Sequence, residues 1–200
     1  MTDLVYGIGF KGSQYPSRIN TKSVKEYQQW VNMLVRCTKK LWIKRPTYSG
    51  TTCSENFKSY SYFYEWCNKQ KGFDIKDENG KSWQIGKDLL IKNNQFYSED
   101  TCVFIPHRIN CLLTKRQNER GEHPIGVVLN KTTNKFVARC SGGTGKMLSL
   151  GCFHKVEDAF CCYKTFKEAY IKEVANKYKD QLDPRAYQAL INYQVEITDK

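Results

Sequence analysis

The chain has 200 residues, enough for one ordinary domain or two small ones, and 40% hydrophobic with 26% charged residues is the composition of a folded rather than a disordered protein. The formal net charge is +12, and residues 151–200 hold eight Lys/Arg against eight Asp/Glu, so the whole excess lies in residues 1–150. That asymmetry points to a polyanionic partner, and with no apolar run of about 18 residues no membrane-spanning helix and no membrane partner are expected.

Residues 1–22, with GIGFKGSQYPSRIN at their centre, have no periodicity and read as loop or short extended structure. Ser23 followed by Glu26 is a capping-box pattern, and Tyr27, Trp30, Leu34 and Cys37 then fall at helical spacing, which predicts a helix over about 24–38. After the loop 44–53, Phe57, Tyr60, Phe63, Tyr64 and Cys67 mark one stripe of a second helix over 54–70. A single stripe of aromatics is a core face rather than a set of base-stacking platforms.

Beyond the turn at 76–81, Trp83–Ile91 and Thr101–Ile105 read as two strands, and Pro106 opens a helix with Ile109, Leu112 and Leu113 on its apolar side. The polar stretch 115–124 is the expected boundary between two modules. Past it come HPIGVVLNK, NKFVARCS and GKMLSLGCF, three strands joined by TTN and GGTG turns. GGTGK is not a phosphate-binding loop, because Cys140 and Met147 stand where that pattern needs Gly and Ser/Thr.

Alternation points Val127, Leu129, Phe136, Ala138, Cys140, Leu148 and Leu150 to one side of this sheet. Ala159, Tyr163, Phe166 and Tyr170 form a helical stripe able to cover that side. The opposite face, with Val128, Asn130, Arg139, Ser141, Met147 and Ser149 and with Lys131, Lys135 and Lys146 at its edges, is left open to enter a DNA major groove.

Nine cysteines without a CxxC pair, in a chain without a signal-like start, suit reduced core thiols in the cytoplasm. Cys102, His107 and Cys111 lack a visible fourth ligand, so no structural zinc is expected.

FVARCS, LGCF and EDAFCCY resemble the apetala-type (plant ethylene-response) DNA-binding domain as it occurs in bacteriophage HNH homing endonucleases, with the match running from about Gly126 to Tyr178. The upstream series Tyr27, Trp30, Met33, Arg36, Cys37, then PTY at 46–48, Lys87-Asp88, YS at 97–98, TC at 101–102 and IN at 109–110 is similar to the same phage proteins. The resemblance implies an α+β chain. It implies that residues 1–114 are a helical segment leading into a degenerate ββα (HNH-like, His-Me finger) module, 115–123 a linker, and 124–200 a three-stranded antiparallel sheet packed on one long helix, with a C-terminal helical tail. It also implies double-stranded DNA as partner and a bacterial cytoplasm as the location. Where the plant domain reads DNA with Arg and Trp, this chain offers only Arg139 as a strong base reader, beside Asn130, Lys131, Lys135, Ser141, Lys146 and Ser149.

An HNH site grips one divalent ion between a ββ hairpin and a helix, with a His base to deprotonate water. The resembling positions here are Gly86 for the acid, Lys87 for the base, Cys102 for the middle ligand and Asn110 for the last. That leaves Asp88 and Asn110 as ligands for Mg²⁺ or another divalent cation, and Lys87 and His107 as the catalytic candidates. Three functions stay open at this point: a DNA-binding relative of the homing endonucleases with weak or absent cleavage, an active metal-dependent endonuclease, and a phage protein that reuses the fold to bind a host or defence protein.

Overall fold

A computed structural model of the chain describes residues 4–115, 122–143 and 146–199. It is a mixed α+β structure that divides into two units, Met1–His107 with Gln181–Ala186, and Arg108–Asp180 with Tyr187–Lys200. Most of the expected linker, residues 116–121, and the tip of the GGTG turn, 144–145, lie outside the described residues.

The first unit opens with a two-stranded hairpin, β1 (Arg18–Ile19) and β2 (Lys22–Ser23), followed by α1 (Lys25–Arg36). Ser23 ends β2, so the expected capping box does not form. Val24 takes the N-cap position without a side-chain hydrogen bond, and Glu26 accepts from Asn68 Nδ2 at 3.3 Å. Then come α2 (Lys39–Lys44), a 3-10 turn at Pro46–Tyr48 and β3 (Thr52–Cys53).

The aromatic helix expected over 54–70 is two helices, α3 (Glu55–Lys58) and α4 (Tyr60–Lys69). The backbone of Phe10 inserts at their junction, accepting from Tyr60 N at 2.9 Å and donating to Lys58 O at 2.8 Å. Ser59 therefore adopts an extended conformation and its hydroxyl caps α4. Tyr60, Phe57, Phe63 and Cys67 are wholly buried, and they pack with Trp30, Met33 and Leu34 of α1, so the stripe is core as expected. Burying each such large side chain stabilises by about 1.5–3 kcal/mol.

Three short strands follow: β4 (Gln84–Gly86), β5 (Phe96–Tyr97) and β6 (Val103–Ile105); α5 (His107–Leu113) comes next in the chain and, after His107, belongs to the second unit. β4 pairs antiparallel with β6, and β5 pairs parallel with β3. The strand expected over 83–91 thus stops at Gly86, because the chain turns away to bury Lys87 and Leu89.

In the second unit β7 (Val127–Asn130), β8 (Lys135–Ser141) and β9 (Met147–Phe153) form an antiparallel sheet in that order. It is covered on one side by α6 (Val156–Lys177); α7 (Pro184–Ile191), next in the chain, begins in the first unit and ends in the second. The helix stripe holds: Ala159, Tyr163 and Tyr170 are buried, and Phe166 is partly buried. Val127, Ala138 and Cys140 meet them from the sheet, and Val195 from the chain end joins the cluster. Gly126 makes the close approach possible, since a Cβ there would lie 2.1 Å from the Tyr163 ring, and its φ of +79° is one that other residues rarely adopt.

One irregularity changes the expected alternation. The register shifts between Ala138 and Arg139, so Gly151 stands opposite Ala138 while Ser149 stands opposite Arg139, and Leu150 is the extra residue. Gly151 and Phe153 then share the α6 side with Ala138 and Phe136, while Leu148 stays opposite buried Cys140 but is 41% exposed, and Leu129 is 36% exposed.

Candidate nucleic-acid interface

Two places carry the residues singled out from the sequence. In the first unit, β4, β6 and the start of α5 follow one another through the stretch that holds Gly86, Lys87, Asp88, Cys102 and His107. In the second, the face of the β7–β8–β9 sheet turned away from α6 carries Arg139 and its neighbours.

Gly86 is buried and pairs with Val103, and a Cβ added to it would lie 3.2 Å from Ile105 Cδ1. The first of the positions singled out from the sequence in this stretch thus faces a side chain of the core. Lys87 is 7% exposed, and its ammonium donates to the carbonyl oxygen of Asn94 while lying 3.7 Å from Asp88 Oδ2. Burial pulls its pKa below the ordinary lysine value, an effect that Asp88 opposes and Arg36 reinforces. The depression is the kind a lysine base requires, but the ammonium points into its own loop.

Asp88 is exposed, in the first unit, with its carboxylate compensated by Lys87; Asn110 belongs to the second unit. Asn110 O accepts from the Thr114 hydroxyl at 3.0 Å, within the turn after α5. Cys102 is fully buried, and desolvation pushes its thiol up to about 12. His107 is half-buried, with Nδ1 3.4 Å from Gln84 Oε1. Among the described residues no group of three or more His, Cys, Asp and Glu side chains is placed to hold a metal ion.

The motif residues upstream do meet, in a framework that the sequence did not disclose. Arg36 Nη1 donates to Tyr97 Oη at 3.0 Å, and the guanidinium lies 5.7 Å from the Tyr48 ring centre. Ser98 N and the Thr101 hydroxyl hydrogen-bond at 3.0 Å, and the same hydroxyl donates to Phe96 O at 2.7 Å, which closes the YSEDT turn. Thr51 donates to Gln95 Oε1 at 2.6 Å, and Gln95 donates to Thr47 O at 3.2 Å. PTY, YS and TC are therefore joints of a hydrogen-bonded frame.

The open sheet face is simpler. Arg139 and Ser149 stand directly opposite each other, as do Ser141 and Met147, and all four are exposed. Val137, buried at the centre of β8, pairs with Val128 on one side and Cys152 on the other. Lys131 and Lys146 are exposed and Lys135 half-exposed.

None of Lys131, Lys135, Arg139 and Lys146 makes an ion pair among the described residues. On α6, by contrast, Lys164 pairs with Glu168 and Lys177 with Glu173, each at 2.8 Å.

Nothing among protein-family models, curated proteins or solved structures matches this chain.

Asn130 has a job within the fold. Its Oδ1 accepts from Thr132 N at 3.0 Å and Thr133 N at 3.3 Å, forming the turn between β7 and β8, where Asn134 is left-handed. Its oxygen is thereby occupied, so Arg139, Ser141 and Ser149 are the polar side chains that present themselves across the sheet. The arrangement suits a phosphate backbone flanking a groove, with cations at the hairpin ends and one guanidinium near the middle.

Proposed function

We propose that this chain is a double-stranded-DNA-binding protein related to the phage HNH homing endonucleases it resembles, with binding retained and cleavage weak or absent. The observation that carries the reading is the exposed sheet face of the second unit, where Arg139, Lys131, Lys135 and Lys146 have no acidic partner among the described residues while α6 occupies the other face. Lysines at the edges supply phosphate contacts, and Arg139 has the forked donor geometry that fits O6 and N7 of a guanine. Their isolation from carboxylates leaves the field of this face uncompensated.

Loss of cleavage follows from the first unit's chemistry. A divalent ion in an HNH-like ββα module would activate water, but the residues here do not fit one: Gly86 has no donor and faces Ile105, Lys87 brings a positive charge, and Cys102 is a buried neutral thiol. Asp88 would have to exchange its lysine partner for the metal. The antiparallel pairing of β4 with β6, followed in the chain by α5, supports the reading of an inherited ββα order of elements whose reactive positions have been replaced.

The test is a selection of duplex fragments by the full chain in Mg²⁺, with each recovered fragment checked for strand breaks. Recovery of intact duplex is expected. Efficient breakage would overturn the claim of eroded cleavage, and recovery of no DNA would favour a protein partner instead.

A further inference from the structure

We infer that the segment Arg36–Arg45 of the first unit is a second contact for the phosphodiester backbone of duplex DNA, separate from the sheet face of the second unit and not dependent on it. Five cations, Arg36, Lys39, Lys40, Lys44 and Arg45, fall in ten residues, and no Asp or Glu occurs between Glu26 and Glu55. Lys39, Lys40, Lys44 and Arg45 are exposed and make no ion pair among the described residues. This differs from a solvated surface of alternating sign, such as α6, where exposed lysines find glutamates one turn away.

The cations stand on a fixed frame. The Thr38 hydroxyl donates to Val35 O at 2.7 Å and accepts from Leu41 N at 3.4 Å, which joins α1 to α2. Trp42 Nε1 donates to Arg36 O at 2.9 Å, folding α2 back on the end of α1, and Arg45 N closes the far end on Leu41 O at 2.7 Å. Arg36 is itself held by Tyr97 and Tyr48. Positive groups carried on an ordered backbone lose less freedom on meeting a phosphate than those of a loose tail, so the cost of binding is reduced.

Duplex DNA is favoured over an anionic membrane by the apolar content of the same surface. Ile43 is 84% exposed, but Trp42 is tied down through its indole nitrogen and Leu41 is half-buried, so one isoleucine on a six-residue helix is all that remains to insert into lipid. Interfacial membrane helices need a whole apolar face. A row of cations without that face matches a polyelectrolyte backbone.

The test compares three forms of the full chain on a short mixed-sequence duplex over a range of salt concentrations. The first is wild type. The second carries Lys39→Ala, Lys40→Ala, Lys44→Ala and Arg45→Ala. The third removes four exposed cations elsewhere in the same unit, Lys11→Ala, Lys71→Ala, Lys76→Ala and Lys81→Ala. Each phosphate contact contributes about 0.9 to the slope of log affinity against log salt.

The segment variant should flatten the slope by about 2 to 4, and the control by less than about 1. Equal slopes for the two variants would overturn the inference. So would a segment variant that binds duplex like wild type but loses phosphatidylserine vesicles. Thermal unfolding of both variants at the wild-type temperature excludes a folding defect. Adding Arg139→Ala and Lys135→Ala separates the two sites: if those changes are silent while the segment variant is not, the sheet-face reading fails and this one stands.

Discussion

Lys87 and Asn94 exchange hydrogen bonds across the bend that ends β4: the buried ammonium donates to the Asn94 carbonyl, and the Asn94 side-chain amide donates to the Lys87 carbonyl at 2.7 Å. The same amide reaches Phe96 O at 2.6 Å, and its oxygen accepts from Phe96 N at 3.0 Å. Asn94→Ala removes three bonds from one loop and should cost about 1–3 kcal/mol in a denaturant titration. A change near zero would show that the exchange does not hold the loop.

The buried ammonium also predicts a pH dependence. With its folded-state pKa below the ordinary 10.5, Lys87 holds fewer protons in the folded than in the unfolded chain between the two values, so stability rises with pH across that window. Cys102 and Tyr97, whose pKa values burial raises above their ordinary 9.0 and 10.0, act in the opposite sense from about pH 9 upward. Lys87→Met should therefore make the slope of stability against pH less positive below about pH 10 than in the wild type. An unchanged slope would contradict the assignment.

Placing an acid at Gly86 should fail to create a metal site. Gly86→Asp puts a carboxylate against Ile105 in a buried strand, so the variant should lose about 2 kcal/mol or more and gain no Mg²⁺ affinity by calorimetry, with or without Lys87→His. Metal binding by a stable Gly86→Asp protein would mean that the position opens onto a functional cleft.

Gly126→Ala tests the packing of α6 on the sheet. The new methyl would overlap the Tyr163 ring on a left-handed backbone, and overpacking with strain predicts a loss of about 2–4 kcal/mol, read as a lower midpoint in urea. The variant should also lose duplex binding as the open face distorts.

Much of this was legible from residue spacing. The stripe Ala159, Tyr163, Phe166, Tyr170 foretold which sheet face would be covered, because one helical face and one strand face must bury each other. The break at Ser59 and the end of β4 at Gly86 were not legible. Both are imposed by partners distant in sequence or by side-chain to backbone bonds, Phe10 in one case and Asn94 in the other, and local periodicity carries no trace of either. The bulge at Ala138/Arg139 was hidden for a similar reason, since one extra residue in β9 leaves its apolar content unchanged. At the candidate site the sequence singled out Gly86 and Lys87, but only the fold places Lys87 indoors.

Thiol reactivity offers an independent check on burial. Cys111, Cys152 and Cys161 are exposed, whereas Cys53, Cys67, Cys102 and Cys140 are buried, with the Cys102 thiol raised to about 12. Brief alkylation of the native protein at pH 8, read by peptide mass spectrometry, should label the first three and spare the other four until denaturant is added. Rapid native labelling of Cys102 would place it in an accessible site.

The central claim, that the open sheet face holds duplex DNA, is tested most directly by the affinity of the full chain for a selected duplex, compared between wild type and Arg139→Ala at one fixed salt concentration. If Arg139 reads a base, the variant binds its selected site about 1–3 kcal/mol more weakly, with much less loss on unrelated duplex. Equal affinity of the two proteins for the selected site, with Arg139→Ala combined with Lys135→Ala equally silent, would contradict the account.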